Sequence, residues 1–328
     1  MQLIQSYDEV RKTYFELTVI TVDSRIGSKS PIIGEQFRDA TPVSTSLALA
    51  GAIDEARDAI NKRDFQVGLL LLNQIRQRED FAGASDHDKF RVSSNFGAVE
   101  LGLGRPESAA QHFLEAVRFE PSDERAKTNE VFAYILKGDN AIAFSKAQTL
   151  RAQYPASSKL TVNWVLSSPS DLTLVEIEHE LSKEIRSDPE IALALCRKAL
   201  AEMNIAKAIA YAESAAHAVP EWAQAHLLMA RSNMGWIVQS EAGLTSSSIE
   251  RAELERSIES ELAQALRLAT AQRDIPTQVE ALVLRTDLRL LQKRGDEAEA
   301  DVHEAYVSIP RMSKLSSHCL IFMAPQSD

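Results

Sequence analysis

Apolar residues recur three and four positions apart along most of this chain, in blocks of a dozen or more residues broken by short polar turns. That spacing gathers them on one face of a helix. Leu254, Ile258, Leu262 and Leu266 form one such stripe, and Ala109, Phe113 and Ala116 form another. The segment EWAQAHLLMARSNMG at 221–235 predicts a further helix of the same kind. One stretch departs from the rule. Residues 12–22, KTYFELTVITV, are β-branched and aromatic, and they run into Gly27, Ser28, Ser30, Pro31 and Gly34. This predicts either a strand and loop or a displaced capping element ahead of the helices.

The helical blocks repeat. Pro121, Pro155 and Pro189 are evenly spaced, Pro276 and Pro310 are separated by the same interval, and Pro220 follows Pro189 slightly sooner. With each proline read as closing a unit at position 32, the unit 90–123 has Gly97 at position 8, Ala109 at 20, Phe113 at 24 and Ala116 at 27. Small residues there let two helices approach closely, and Phe113 fills the space between them. Pro106 opens a second helix where its missing N–H costs nothing. The unit 124–157 keeps Tyr134, Ala143 and Pro155, with Gly138 and Asp139 as its turn. The unit ending at Pro220 keeps Ala208, Ala212 and Ala218 behind a shortened first helix, and the last, 279–312, keeps Ala298, Ala305 and Pro310. Ala56, Gly68, Leu72 and Ile75 mark an earlier unit. In the stretch 158–189, Trp164, Pro169 and Ile177 replace the small residues, and Pro169 predicts a kink or an irregular helix. The Gly and Ser cluster near 236–250 reads as a looped insertion.

This helix–turn–helix pattern, with its period of about 34 residues, resembles the tetratricopeptide repeat (TPR) family over roughly residues 43–312. The resemblance implies an all-α, right-handed helical-repeat solenoid of about seven antiparallel helix pairs. Residues 1–42 would be an N-terminal segment acting as a strand or loop cap, and 313–328 a C-terminal tail. It also implies peptide binding on the concave face, which the first helix of each pair lines. The family's groove positions fall on Arg91, Ser94 and Ala98, on Arg125, Thr128 and Phe132, on Lys159 and Val162, on Gln224, Leu227 and Arg231, and on Glu280, Val283 and Asp287. The family's pocket for a C-terminal carboxylate uses Lys and Asn at positions 5 and 9. Ser94 with Ala98, and Thr128 with Phe132, stand there instead, which disfavours a chaperone-tail adaptor.

Of the 328 residues, 45% are hydrophobic and 25% charged, enough apolar mass for a buried core and against disorder of the whole. A formal net charge of −11 repels phosphate backbones and makes nucleic acid a poor default partner. Cys196 and Cys319 are far apart with no CxxC, which fits a reducing compartment without a disulfide framework or zinc knuckle. The start, MQLIQSYDEVRKTYF, lacks the basic-then-apolar order of a signal peptide, and no apolar run reaches the length of a membrane span. The expectation is a cytoplasmic protein with no membrane contact.

Candidate chemistry is sparse. GLGRPES at 102–108 lacks the GK[ST] of a phosphate loop. Glu176 and His179 have the ExxH spacing of a di-iron ligand pair, but a second ExxH is missing. Glu213 with His217 and Glu299 with His303 are i,i+4 pairs of the kind that stabilise helices. Cys196 lies in the apolar helix IALALCRKAL, the setting of an inert buried thiol, and Cys319 beside His318 does not make a nucleophile–base pair. Asp23 ends TVITV without a βαβ context. The expectation is therefore a non-enzyme with no cofactor and no metal: a scaffold, adaptor or regulatory subunit that binds a protein or peptide. Two alternatives are a sensor module of a larger signalling or defence assembly, and part of an enzyme whose catalytic portion lies elsewhere. Arg91, Arg125 and Lys159 occupy position 2 of three successive units. They predict a basic ladder on the concave face, extended by Arg231, that attracts an acidic peptide or anionic ligand; the competing expectation pairs them with acids such as Glu124 and Glu130.

Overall fold

Among the described residues, seven helices of the computed structural model begin at a residue whose side chain accepts from the first free N–H groups. The structure describes residues 47–103, 105–243 and 248–308. Asp123 accepts from Arg125 N at 2.8 Å and Ala126 N at 3.1 Å, Asp188 from Glu190 N at 2.9 Å, and Ser85 from Asp88 N at 3.1 Å. Thr173 and Glu176 close a full capping box. Sixteen helices follow among the described residues, and no strand.

In chain order these are α1 (Leu47–Asn61), α2 (Phe65–Arg76), α3 (Glu79–Ala82), α4 (Asp86–Gly102), α5 (Pro106–Phe119), α6 (Glu124–Leu136), α7 (Asn140–Gln153), α8 (Ser158–Leu166), α9 (Leu174–Glu180), α10 (Lys183–Arg186), α11 (Pro189–Ala201), α12 (Ile205–Ala218), α13 (Ala223–Gly243), α14 (Ser248–Ala271), α15 (Ile275–Leu291) and α16 (Gly295–Ser308). Neighbours in sequence pack as antiparallel pairs: α1 with α2, α4 with α5, α6 with α7, α11 with α12, α13 with α14 and α15 with α16. In a seventh unit, α9 and α10 stand where the second helix would be, after α8.

Close approach within the pairs rests on the small residues. Ala109, Ala116, Ala143, Ala208, Ala212, Ala298 and Ala305 are all fully buried. Gly97 faces the Phe113 ring, and a Cβ there would sit 2.5 Å from Phe113 Cε1. Successive first helices also touch one another: α1 with α4, α6 with α8, α8 with α11, α11 with α13 and α13 with α15. No two second helices pack as closely among the described residues. In a curved double layer the crowded layer is the inside of the bend, so the first helices line the concave face.

Three sequence expectations need correction. Pro189 and Pro276 do not close units; they stand at the N-termini of α11 and α15, where the absent N–H is tolerated. Among the described residues Pro121, Pro155 and Pro220 share the closing role, each after a C-cap residue (Glu120, Tyr154, Val219) with φ between −136° and −126°. The shortened first helix is α8, with nine residues, rather than α11, with 13. It stops at Leu166 because Ser167 and Ser168 turn their hydroxyls onto the Asn163 and Val165 carbonyls, at 2.6 and 2.7 Å. Pro169 then lies in the exposed turn, so the expected kink takes the form of a helix end. Finally, residues 236–243 are not loop. They extend α13 to 21 residues opposite an α14 of 24, and Ile237, Ile258 and Leu262 bury the apolar faces of the lengthened pair. The expectations for 1–46, including the strand at 12–22 and Asp23, and those for 309–328, including Pro310, His318 and Cys319, lie outside the described residues.

Candidate functional site: the concave face

The position-2 cations sit on first helices as the spacing requires, but each faces a carboxylate. Arg91 Nη2 donates to Asp54 of the preceding first helix at 2.6 Å, and Arg91 Nη1 lies 3.9 Å from Asp88. Arg125 turns back to Asp123 at its own helix cap, at 3.3 Å. Lys159 Nζ donates to Glu190 of the next first helix at 2.5 Å. Arg231 continues the pattern, with Nη1 2.5 Å from Glu280 Oε1. Arg91, Lys159 and Arg231 therefore stitch neighbouring units together, while Arg125 ties to its own cap; the pairing with acids expected from sequence is made by Asp54, Asp123, Glu190 and Glu280.

The remaining groove positions divide. Leu227 is fully buried in the core between α13, α14 and α15, so it does not face the groove. Ser94 is buried, and its Oγ has no hydrogen-bond partner. The Thr128 hydroxyl bonds the Glu124 carbonyl at 2.7 Å, and the Thr128 carbonyl accepts from Asn163 Nδ2 at 3.3 Å. Phe132 is half-buried with its ring 6.2 Å from that of Phe113. Asp287 is half-buried on α15.

Two features of this face escaped the sequence reading. Asn95, Asn129 and Asn163 stand one repeat apart on first helices and are all buried, and Asn163 reaches the preceding first helix at the Thr128 carbonyl. Their spacing was the available signal. The second is Arg197 on α11, half-buried beside Arg231 and Glu280. Burial pulls its guanidinium pKa down, and the Glu280 carboxylate pulls it back up. Its Nη2 is enclosed without an acceptor. Both Glu280 oxygens likewise accept no well-directed hydrogen bond: Arg231 approaches as an ion pair, off the line that a hydrogen bond needs. Cys196, next to Arg197, lies 3.7 Å from Ser232 Oγ, and burial pushes its thiol up to about 11, so it stays protonated and unreactive at neutral pH.

Glu176 is committed to its capping box, accepting from Thr173 N and Oγ1 at 2.7 Å each, which explains the ExxH spacing structurally. Among the described residues no group of three or more His, Cys, Asp or Glu side chains is placed to hold a metal ion, and no helix is long and apolar enough to cross a membrane.

Antiparallel pairs with small-residue contacts, shared caps and a first-helix inner layer define a TPR-like helical-repeat solenoid. Two solved structures are similar to the chain: a thermophilic TPR protein of Thermus thermophilus, at 19% identity and TM-score 0.38 over 70% of this chain and 93% of that one, and the C-terminal part of a TPR repeat-containing protein from Cytophaga hutchinsonii, at 10% identity and TM-score 0.38 over 83% of this chain and 99% of that one. No protein-family model and no curated protein matches the chain significantly.

Proposed function

We propose that this chain is a protein-interaction scaffold whose concave face seats a peptide or protein segment, with acidic side chains of the partner reaching Arg197 and Arg231. One observation carries the reading. Of the seven buried side-chain atoms without a hydrogen-bond partner among the described residues, six belong to first helices: Ser94 Oγ, Asn95 Oδ1, Trp164 Nε1, Arg197 Nη2 and the two Glu280 oxygens. Folded proteins leave few such groups, because an atom enclosed without a hydrogen bond forfeits its solvation; at Glu280 the Arg231 ion pair offsets part of that cost. Their concentration in the inner layer supports recognition there of a polar partner. Arg197 supplies a charge-assisted donor, and Asp287, half-buried on α15, supplies an acceptor for basic groups flanking the partner's acids.

The test uses peptides selected from a displayed random library on the intact chain. Arg197→Ala should weaken the selected peptide by about tenfold or more, the loss of one charge-assisted hydrogen bond, with the melting temperature held. Undiminished affinity in that variant would remove Arg197 from the binding face and with it the proposed site.

A further inference from the structure

Two turns of the array carry the same dipeptide in the same geometry and meet each other across the molecule. The first, Asn61–Lys62–Arg63–Asp64, joins α1 to α2; the second, Ala271–Gln272–Arg273–Asp274, joins α14 to α15. In both, the aspartate N–H bonds the carbonyl five residues back, at 2.9 Å to Ala59 and 2.7 Å to Ala269. The arginine sits left-handed, with φ of 59° at Arg63 and 52° at Arg273. Helix ends of this form favour glycine at that position, as at Gly138 with φ of 77°. Met203, with φ of 56°, and Lys293, with φ of 61°, adopt the same conformation, so the backbone alone does not single out the two arginine turns.

The side chains set these two turns apart. Arg273 Nη1 donates to Asp64, 209 residues away in sequence. Reciprocally, Arg63 Nη1 lies 3.8 Å from Asp274 Oδ1, with side-chain exposures of 7% and 3%, so this half of the contact is closed to solvent. Asp64 stands at the N-cap of α2 yet makes no capping bond; its carboxylate is turned to Arg273 instead. Asp274 caps α15 through Thr277, at 3.3 Å to N and 2.8 Å to Oγ1, and faces Arg63 as well.

The α1–α2 turn joins a first helix to a second, and the α14–α15 turn joins a second to a first, so they lie on opposite rims of the solenoid. Their meeting means that the chain completes one superhelical turn in about six units and touches rim to rim. A solenoid is held along its length by nearest-neighbour interfaces, and its pitch is otherwise free to stretch. We propose that these two turns form a latch: the reciprocal Arg63–Asp274 and Arg273–Asp64 pairs fix the superhelix at a closed pitch, and releasing them lengthens the array and widens access to its inner face. The exposed Arg273–Asp64 half, at 63% and 42% side-chain exposure, yields first to salt, while the enclosed Arg63–Asp274 half is screened much less.

Small-angle X-ray scattering on the intact chain tests the latch. The Arg63→Gly, Arg273→Gly double variant suits both left-handed turns, so its helicity by circular dichroism should match the wild type. Its maximum dimension should grow by roughly one helix diameter, about 10 Å. A second series does not depend on that variant folding well: Arg273→Asp should extend the molecule, and adding Asp64→Arg should bring it back. Restoration by the swapped pair supports the latch. Equal maximum dimensions for the wild type and every folded variant would overturn it.

Discussion

At the scale of single residues, the fold depends on where a side chain is forbidden. A Cβ on Gly97 would sit 2.5, 2.6 and 2.8 Å from three atoms of the Phe113 ring, itself only 2% exposed and unable to yield. A Cβ on Gly51, exposed within α1, meets nothing within 4 Å. Helix propensity alone favours alanine at both sites by about 1 kcal/mol. Packing reverses the sign at one of them. Gly97→Ala should lower stability in urea denaturation by about 1–3 kcal/mol, and Gly51→Ala should raise it by about 0.5–1 kcal/mol. Shifts of the same sign in both variants would contradict the register. These small positions were legible because close approach demands them whatever the context. The prolines were legible only in part. A ring that fixes φ at about −65° suits both the first turn of a helix and the turn after one. Even spacing alone therefore does not separate Pro189 and Pro276 from Pro121, Pro155 and Pro220.

At the scale of elements, tertiary packing overrode local signals. Glycine and serine near 236–250 suggested a loop, yet the apolar faces meeting at Ile237, Ile258 and Leu262 carry α13 on to Gly243 and α14 from Ser248. In the 158–188 unit, bulky Trp164, Leu174, Ile177 and Leu181 fill the space that small residues occupy elsewhere, and the second helix divides between α9 and α10. The long α13–α14 pair also has a pH-dependent tie. His226 Nδ1 lies 2.7 Å from Glu261 Oε2, and its Nε2 lies 2.8 Å from the Pro220 carbonyl. The hydrogen bond to Glu261 raises the His226 pKa, against the opposing effect of burial. A raised histidine adds stability in full below its unfolded value of about 6.5, and that contribution is lost as pH climbs through the higher folded value. The stability gap between wild type and His226→Gln should therefore be widest at about pH 6, below that unfolded value, and should narrow on the alkaline side. A gap that is flat or widens with pH would show that the imidazolium is not what ties the two helices.

At the scale of the whole molecule, the period gave the solenoid and the layer to which each first helix belongs, but not the electrostatics of its face. One repeat of spacing places Arg91, Arg125 and Lys159 in line. It does not reveal that Asp54 and Glu190, on neighbouring first helices, reach across to Arg91 and Lys159. Nor does it single out Arg197, whose importance comes from being enclosed beside Arg231 and Glu280 rather than from any repeat of its own.

The inner layer as the binding face is the central claim, and hydrogen exchange read by mass spectrometry, with and without a selected peptide, tests it most directly. Binding on the concave side should slow exchange in the first helices α11, α13 and α15, around Arg197, Arg231 and Glu280, and leave the second helices α5, α7 and α12 as they were. Protection confined to those second helices, with the first helices unchanged, would place the partner on the convex side and contradict the account.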